Sequence, residues 1–254
     1  MDKIHIRVEE QNINKQGLLM TIIRYKNCND IDIQFEDGVV QEHTKYSRFV
    51  NGTIVNYNVP SYLGVGYRGY GKYTTRKNNV KTEEYIKWGS MLTRCYSDKL
   101  SQRENYKDCS VCNEWLNFQN FAEWYNENKY TLPFNERVEL DKDILLKGNK
   151  IYMPERCLLV PKRINSIILN RHNERGKCVL GVFYNRNLNK YQVSVNDGSG
   201  GNIYLGLFKK EEDAFSEYVK CKKEIIFDVA NQYKPYIPNT VYDAIINYKI
   251  SVYD

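Results

Sequence analysis

Apolar and polar positions change their rhythm several times along this chain. Within residues 1–59 the runs GLLMTIIRY and DIDIQFEDGVV read as strands, and the second alternates over Ile31, Ile33 and Phe35. Its EDG triplet predicts a hairpin turn before Val39 and Val40. Residues 82–129 switch to helical spacing. One apolar face runs through Tyr85, Trp88, Met91, Leu92 and Cys95, and a second through Trp115, Phe118, Phe121, Trp124 and Tyr125. Aromatic stripes at that spacing belong to a core rather than to a base-stacking platform. Thr82, followed by two glutamates, predicts an N-cap with an acidic first turn.

The rhythm changes again at VELDKDILLKGNKIYMPERCLLVPKRIN, from Val138 to Asn165, which reads as strand, Gly-Asn turn, loop and helix start. The runs CVLGVFYNR, KYQVSVND and NIYLGLF then predict three short strands joined by hairpins. KKEEDAFSEYVKCKKEIIFDVANQY predicts a helix burying Ala214, Phe215, Tyr218, Ile225, Ile226 and Val229. The tail PNTVYDAIINYKISVYD adds a short helix, with room for a closing strand. The expected fold class is α+β in small modules: a β-rich module at 1–59, a basic Gly/Tyr linker at 60–80, a strand–loop–helix domain with aromatic helices at 81–172, and a three-stranded antiparallel sheet packed on a helix, with a helical tail, at 173–254.

Composition narrows the class. The 254 residues are 42% hydrophobic and 27% charged with mean hydropathy −0.64, enough apolar surface for several small cores. No run approaches the ~18 apolar residues of a membrane span, so no membrane partner is expected. The start MDKIHIRVEE lacks the apolar core of a secretory signal. With that, seven irregularly spaced cysteines predict reduced thiols and a cytoplasmic location. A formal charge of +6 favours a polyanionic partner without establishing one. The linker stretch from Asn58 to Asn79 mixes Gly and Tyr with Arg68, Lys72, Arg76 and Lys77. It suits either a spacer or an arm lying along a DNA backbone. The β-rich module likewise suits contact with nucleic acid, spacing, or docking of a host protein.

YIKWGSMLTRCY, YKDCSVCNEWLNFQNFAEWY, LDKDILLKGNKIYMPERCLLVPKRIN and RGKCVLGVFYNRNLNKYQVSV…IYLGLFKKEEDAFSEY follow one another in a single chain. In this order they resemble the phage-encoded HNH homing-endonuclease-like proteins that end in a DNA-binding domain of the plant ethylene-response-factor (APETALA) type. YKNCNDIDIQFEDG is similar to the β module that precedes this arrangement. Arg175-Gly176 and Gly181-Val182 sit like the family's RGV entry, Lys190-Tyr191 like its KW, and Tyr204-Leu205-Gly206 like its WLG. The resemblance implies a sheet laid into the major groove of double-stranded DNA, in a bacterial host's cytoplasm. Strand alternation leaves one sheet face free. The candidate DNA-contacting residues are Arg175, Tyr184, Arg186, Lys190, Gln192, Ser194 and Tyr204.

The resemblance also implies an HNH site, which needs a general base and one oxygen-ligated metal ion. The family's Asp-His pair falls on Asp141-Lys142, its central asparagine on Asn149 and its helix asparagine on Asn165. Asp141 and Asn165 are therefore the candidate ligands for Mg²⁺ or Mn²⁺. Lys142 is the departure, since an ordinary lysine is protonated near neutral pH and makes a poor base. Asp143 and His172 remain as substitutes, Asp143 on the opposite face of a continuing strand and His172 folding back from a helix end. The plainer reading of Asp141 and Asp143 is a capped turn paired with Lys142 or Arg163. Cys109 and Cys112 have zinc spacing, and a structural zinc would also need Cys95 and Cys157. Three functions remain open: a sequence-specific DNA-binding protein with its nuclease chemistry lost, a Mg/Mn-dependent nicking endonuclease, and a phage accessory protein acting on a host protein.

Overall fold

The computed structural model describes residues 7–98, 106, 108–168 and 178–251. The fold is α+β, with several small sheets and helices arranged in two compact units, Met1–Gly71 and Lys72–Asp254. None of the described helices is long and apolar enough to cross a membrane.

The first unit is an antiparallel sheet of β1 (Gln11–Ile13), β2 (Leu19–Asn27), β3 (Asp30–Phe35) and β4 (Val40–Thr44), followed by α1 (Tyr46–Val50). Ile31, Ile33 and Phe35 do point into the core, with Met20, Ile22, Phe49 and Ile54. The EDG turn closes as expected: Gly38 lies at φ 85° and donates to Phe35 O at 2.9 Å. The stretch after α1 stays folded on this unit. Tyr62 and Gly66 bridge, and the rings of Tyr57 and Tyr70 meet edge-on at 5.3 Å.

The second unit opens with the hairpin β5 (Arg76–Lys77) and β6 (Val80–Lys81), then α2 (Glu83–Tyr96). Thr82 occupies the N-cap position, but its hydroxyl donates to Thr74 O at 3.0 Å and caps nothing. After β7 (Ser110–Val111) the aromatic stripe is split between α3 (Asn113–Leu116) and α4 (Phe118–Asn128). Asn117 breaks the helix in extended backbone and caps α4 by accepting from Gln119 N at 3.0 Å. Trp88, Trp115, Phe118 and Phe121 are fully buried here, and Trp88 Nε1 donates to Trp115 O at 2.7 Å.

A strand–strand–helix frame follows. β8 (Val138–Asp141) pairs antiparallel with β10 (Leu158–Pro161), and the connecting loop holds the short β9 (Ile151–Tyr152), parallel to β7. α5 (Lys162–Ile168) starts directly after β10 and packs on both strands, burying Ile164, Ile167 and Ile168. Next comes the antiparallel sheet β11 (Val182–Asn185), β12 (Lys190–Asn196) and β13 (Asn202–Phe208), covered on one face by α6 (Glu211–Tyr233). Its core is Leu180, Val193, Val195, Ala214 and Tyr218. α7 (Asn239–Ile246) packs on α6, and the described residues beyond it form no strand, so the expected closing strand is absent there.

Arg163 ties the two halves of this unit together. Its Nε donates to Gly198 O and its Nη1 to Gln232 Oε1, both at 2.8 Å. Glu136 accepts from Arg163 N at 3.2 Å and from Tyr233 OH at 2.6 Å. The sheet is held equally closely at Gly181, which lies at φ 73°, where a Cβ would stand 2.1 Å from a ring carbon of the buried Tyr218. Gly181→Ala is therefore expected to cost at least about 1–3 kcal/mol through overpacking. Gly64→Ala shares a similar φ of 71° but meets nothing within 4 Å, and serves as the control. Thermal unfolding of both variants checks this: Gly181→Ala should melt clearly lower than Gly64→Ala.

Candidate metal frame and nucleic-acid interface

The chain leaves β8 through a turn built by Asp141. Its Oδ1 accepts from Asp143 N and Ile144 N, each at 2.8 Å. Desolvation pushes the Asp141 carboxyl above the ordinary range, and those two amides offset part of the rise. Lys142 is buried at 7% exposure, and its Nζ donates to Asp143 Oδ2 at 2.7 Å and to Asn149 O at 2.6 Å. Asn149 returns the bond: its Nδ2 donates to Lys142 O at 2.9 Å and to Ile151 O at 2.7 Å, and its Oδ1 accepts from Ile151 N at 3.1 Å. Lys142 and Asn149 thus close the loop between β8 and β9 on each other. The amine donates both of these bonds and acts here as a peg between Asp143 and Asn149. Asp143 is held by the same amine.

Asn165 lies on α5, which packs on β8. Its Oδ1 is buried without a hydrogen-bond donor among the described residues. An orphaned buried carbonyl oxygen ordinarily costs about 1–3 kcal/mol, and a hard cation would satisfy it. Asp141 and Asn165 thus sit on packed neighbouring elements, β8 and α5. His172 and Arg175 lie outside the described residues.

The four cysteines do not form a metal-sized cluster among the described residues. Cys109 and Cys157 are buried and Cys95 and Cys112 half-buried. Burial pushes the Cys95 and Cys157 thiols up to about 12. The potential ligands that do converge are Asp30, Asp32 and His43, in the first unit. The cation among them is Arg24, whose Nη2 reaches Asp30 Oδ1 and Asp32 Oδ1 at 2.7 Å each, while its Nε also bonds Asp32. Arg24, with help from His43, draws the Asp30 carboxyl down to about 2. This cluster is a paired charge network.

Register fixes which residues the β11–β13 sheet turns outward. Val193 and Val195 are buried against α6, so Lys190, Gln192, Ser194 and Asn196 take the other face. Cross-strand partners share a face: Phe183 lies opposite Gln192, and Asn185 opposite Lys190. On β13, Leu207 lies opposite Gln192 and Tyr204 opposite Ser194. Tyr204 and Leu207 share the outward face although three residues apart, because a bulge interrupts the register between Val193 and Ser194. Gly206 sits beside that bulge at φ 126°.

The candidate DNA residues therefore divide. Lys190, Gln192, Ser194 and Tyr204 are together on the outward face, and Arg186 is exposed in the turn between β11 and β12. Tyr184 is not with them. It lies opposite Tyr191 on the helix-covered face, with ring centroids 5.1 Å apart, and its hydroxyl bonds Asn189. Phe183 and Leu207 take part in the outward face instead, and sequence reasoning had not singled them out. Counting alternation from Val182 would have found Phe183. Leu207 required the bulge.

Comparison with family models, curated proteins and solved structures returned no match.

The peg role of Lys142 has a direct consequence. Lys142→Met removes the donor to Asn149 O and leaves Asp143 unpaired, so it should destabilise the protein by about 1–3 kcal/mol. Asn165→Leu, which replaces an orphaned acceptor by an apolar group, should cost less in metal-free buffer. Denaturant midpoints for the two variants check the order.

Proposed function

We propose that this chain is a sequence-specific double-stranded DNA-binding protein, built on the frame of a phage HNH homing endonuclease whose nuclease step is disabled at Lys142. The observation that carries the reading is the outward face of β11–β13, which within the second unit no described helix covers and which bears no carboxylate along its strands. Three strands at ~4.8 Å spacing span about 10 Å, which suits a major groove about 12 Å wide. Charge is sorted to match. α6, behind the sheet, carries Glu211, Glu212, Asp213, Glu217, Glu224 and Asp228 against Lys220, Lys222 and Lys223, whereas Arg186, Lys190, Lys209 and Lys210 lie on or beside the strands with Asp197 as the one carboxylate in their turns. In this arrangement Lys190 and Tyr204 hold phosphates, and Arg186 and Gln192 reach base edges. The resemblance of the ordered strings to phage HNH proteins with an ethylene-response-factor-type domain supports the same reading.

In the frame, Asp141 and Asn165 would hold Mg²⁺ or Mn²⁺. Such an ion, when bound, stabilises charge on a phosphate oxygen. Asp141 would supply an anionic oxygen and Asn165 its unpaired carbonyl, while Lys142 keeps the loop closed. The orphaned Asn165 Oδ1 also favours a second reading, a working nicking enzyme in which Asp143 acts as base.

Two measurements test these statements. If about six phosphates are neutralised, log affinity for duplex should fall against log salt with a slope near −5. A flat response, or no binding at low salt, would overturn the DNA reading. Supercoiled plasmid should stay intact with wild-type protein in Mg²⁺ or Mn²⁺, and Lys142→His should introduce nicking that Asp141→Ala abolishes, since imidazole accepts a proton at working pH. Nicking by wild type that Asp141→Ala stops would establish the second reading instead.

A further inference from the structure

The outward sheet face has a chemistry beyond its charge. Phe183, Gln192 and Leu207 form one row across β11, β12 and β13, with the glutamine in the middle. Phe183 is 64% exposed and Leu207 37%. Apolar groups left in water at the centre of an alternating strand are costly, and outward positions next to them are filled by Ser194 and Asn185. The end-positioned amides are already used: Asn185 Oδ1 accepts from Asn187 N and Leu188 N, and Asn196 Oδ1 from Gly198 N. Gln192 has no protein partner for its amide among the described residues. No arginine, the commonest bidentate reader of guanine, stands on the strands of this face. Lys190 lies at the end of the sheet, beside the turn that carries Arg186.

We propose that this row reads A·T base pairs in the major groove, Gln192 bonding the adenine edge while Phe183 and Leu207 pack against thymine methyl groups. The inference rests on the reading of the sheet as the DNA-contacting surface. One A·T pair presents both halves of the match: N7 and N6 of adenine offer an acceptor and a donor to one amide, and thymine offers an apolar C5-methyl. A G·C pair offers no methyl to Phe183 and Leu207, and its guanine edge shows two acceptors where a glutamine amide brings one donor group and one acceptor. The absence of carboxylates on the face makes duplex DNA, rather than a basic protein segment, the occupant that its charge accepts.

The test selects bound molecules from a synthetic duplex pool with a random core, using the full-length protein at low salt. The chosen duplex is then rebuilt with deoxyuridine in place of thymidine, which removes only the methyl groups. The expected site contains A·T pairs, and the deoxyuridine version should bind about four-fold more weakly for each methyl contacted. Phe183→Ala should weaken binding to the thymidine duplex and reduce the difference between the two duplexes. Gln192→Ala should lose roughly ten-fold or more on the selected site and little on random duplex. Both side chains are on the outward face, so circular dichroism should be unchanged. Equal binding of thymidine and deoxyuridine duplexes by wild type, or a selected site of G·C pairs alone, would overturn the inference while leaving DNA binding intact. Failure to retain any duplex from the pool would overturn the DNA reading itself, and this inference with it.

Discussion

The register of β12 is the constraint on which the outward face of the β11–β13 sheet depends. Val193 and Val195 are 0% and 1% exposed against Ala214 and Tyr218 of α6. Strand side chains repeat every two residues, so a slip of one position would bury Gln192 and Ser194 and expose both valines. Burying a valine stabilises by roughly 1.5–3 kcal/mol, which makes that slip costly twice over. The same register places Phe183 and Leu207 on either side of Gln192. The bulge beside Gly206 then brings Tyr204 onto that face as well. A surface of this kind owes its composition to what is packed behind it.

The second determinant is Arg163. It bonds the turn at Gly198 and the end of α6 at Gln232, while its own backbone amide is held by Glu136 just before β8. The Asp141–Asn165 frame and the β11–β13 sheet are therefore joined through hydrogen bonds and buried isoleucines within one compact unit. For the proposed function this matters because a sheet seated in a groove would carry the metal frame to a set position on the same duplex. Lys142 adds to the rigidity of that frame. The lysine amine is spent on Asp143 and Asn149.

Local pattern made much of this legible. The alternation of Ile31, Ile33 and Phe35, the helical aromatic stripes and the three C-terminal strands all followed from spacing. The α+β class followed from their sum. What escaped depended on partners distant in sequence. Asp32 is 8% exposed within a strand because Arg24 on the neighbouring strand pairs with it. Thr82 fails to cap α2 because Thr74, across the hairpin, takes its hydroxyl hydrogen. The stripe from Trp115 to Tyr125 concealed a break, although the cap responsible, Asn117, is a residue type that marks helix starts. Tyr184 was assigned to the wrong face because its position relative to Val193 was unknown, and cysteine spacing alone could not say whether four thiols meet. In the candidate metal frame, the family resemblance pointed to Asp141, Asn149 and Asn165, but only the fold shows Lys142 tied down and Asn165 Oδ1 left without a donor among the described residues.

The central claim, that duplex DNA lies on the outward face of β11–β13, is tested most directly by hydrogen–deuterium exchange of the full-length protein with and without a mixed-sequence duplex at low salt. The account predicts slower exchange concentrated in Val182–Phe208 when duplex is present, with the amides of α3 and α4 unchanged. Protection confined to Met1–Gly71, or to the aromatic helices, with none across β11–β13 would contradict it.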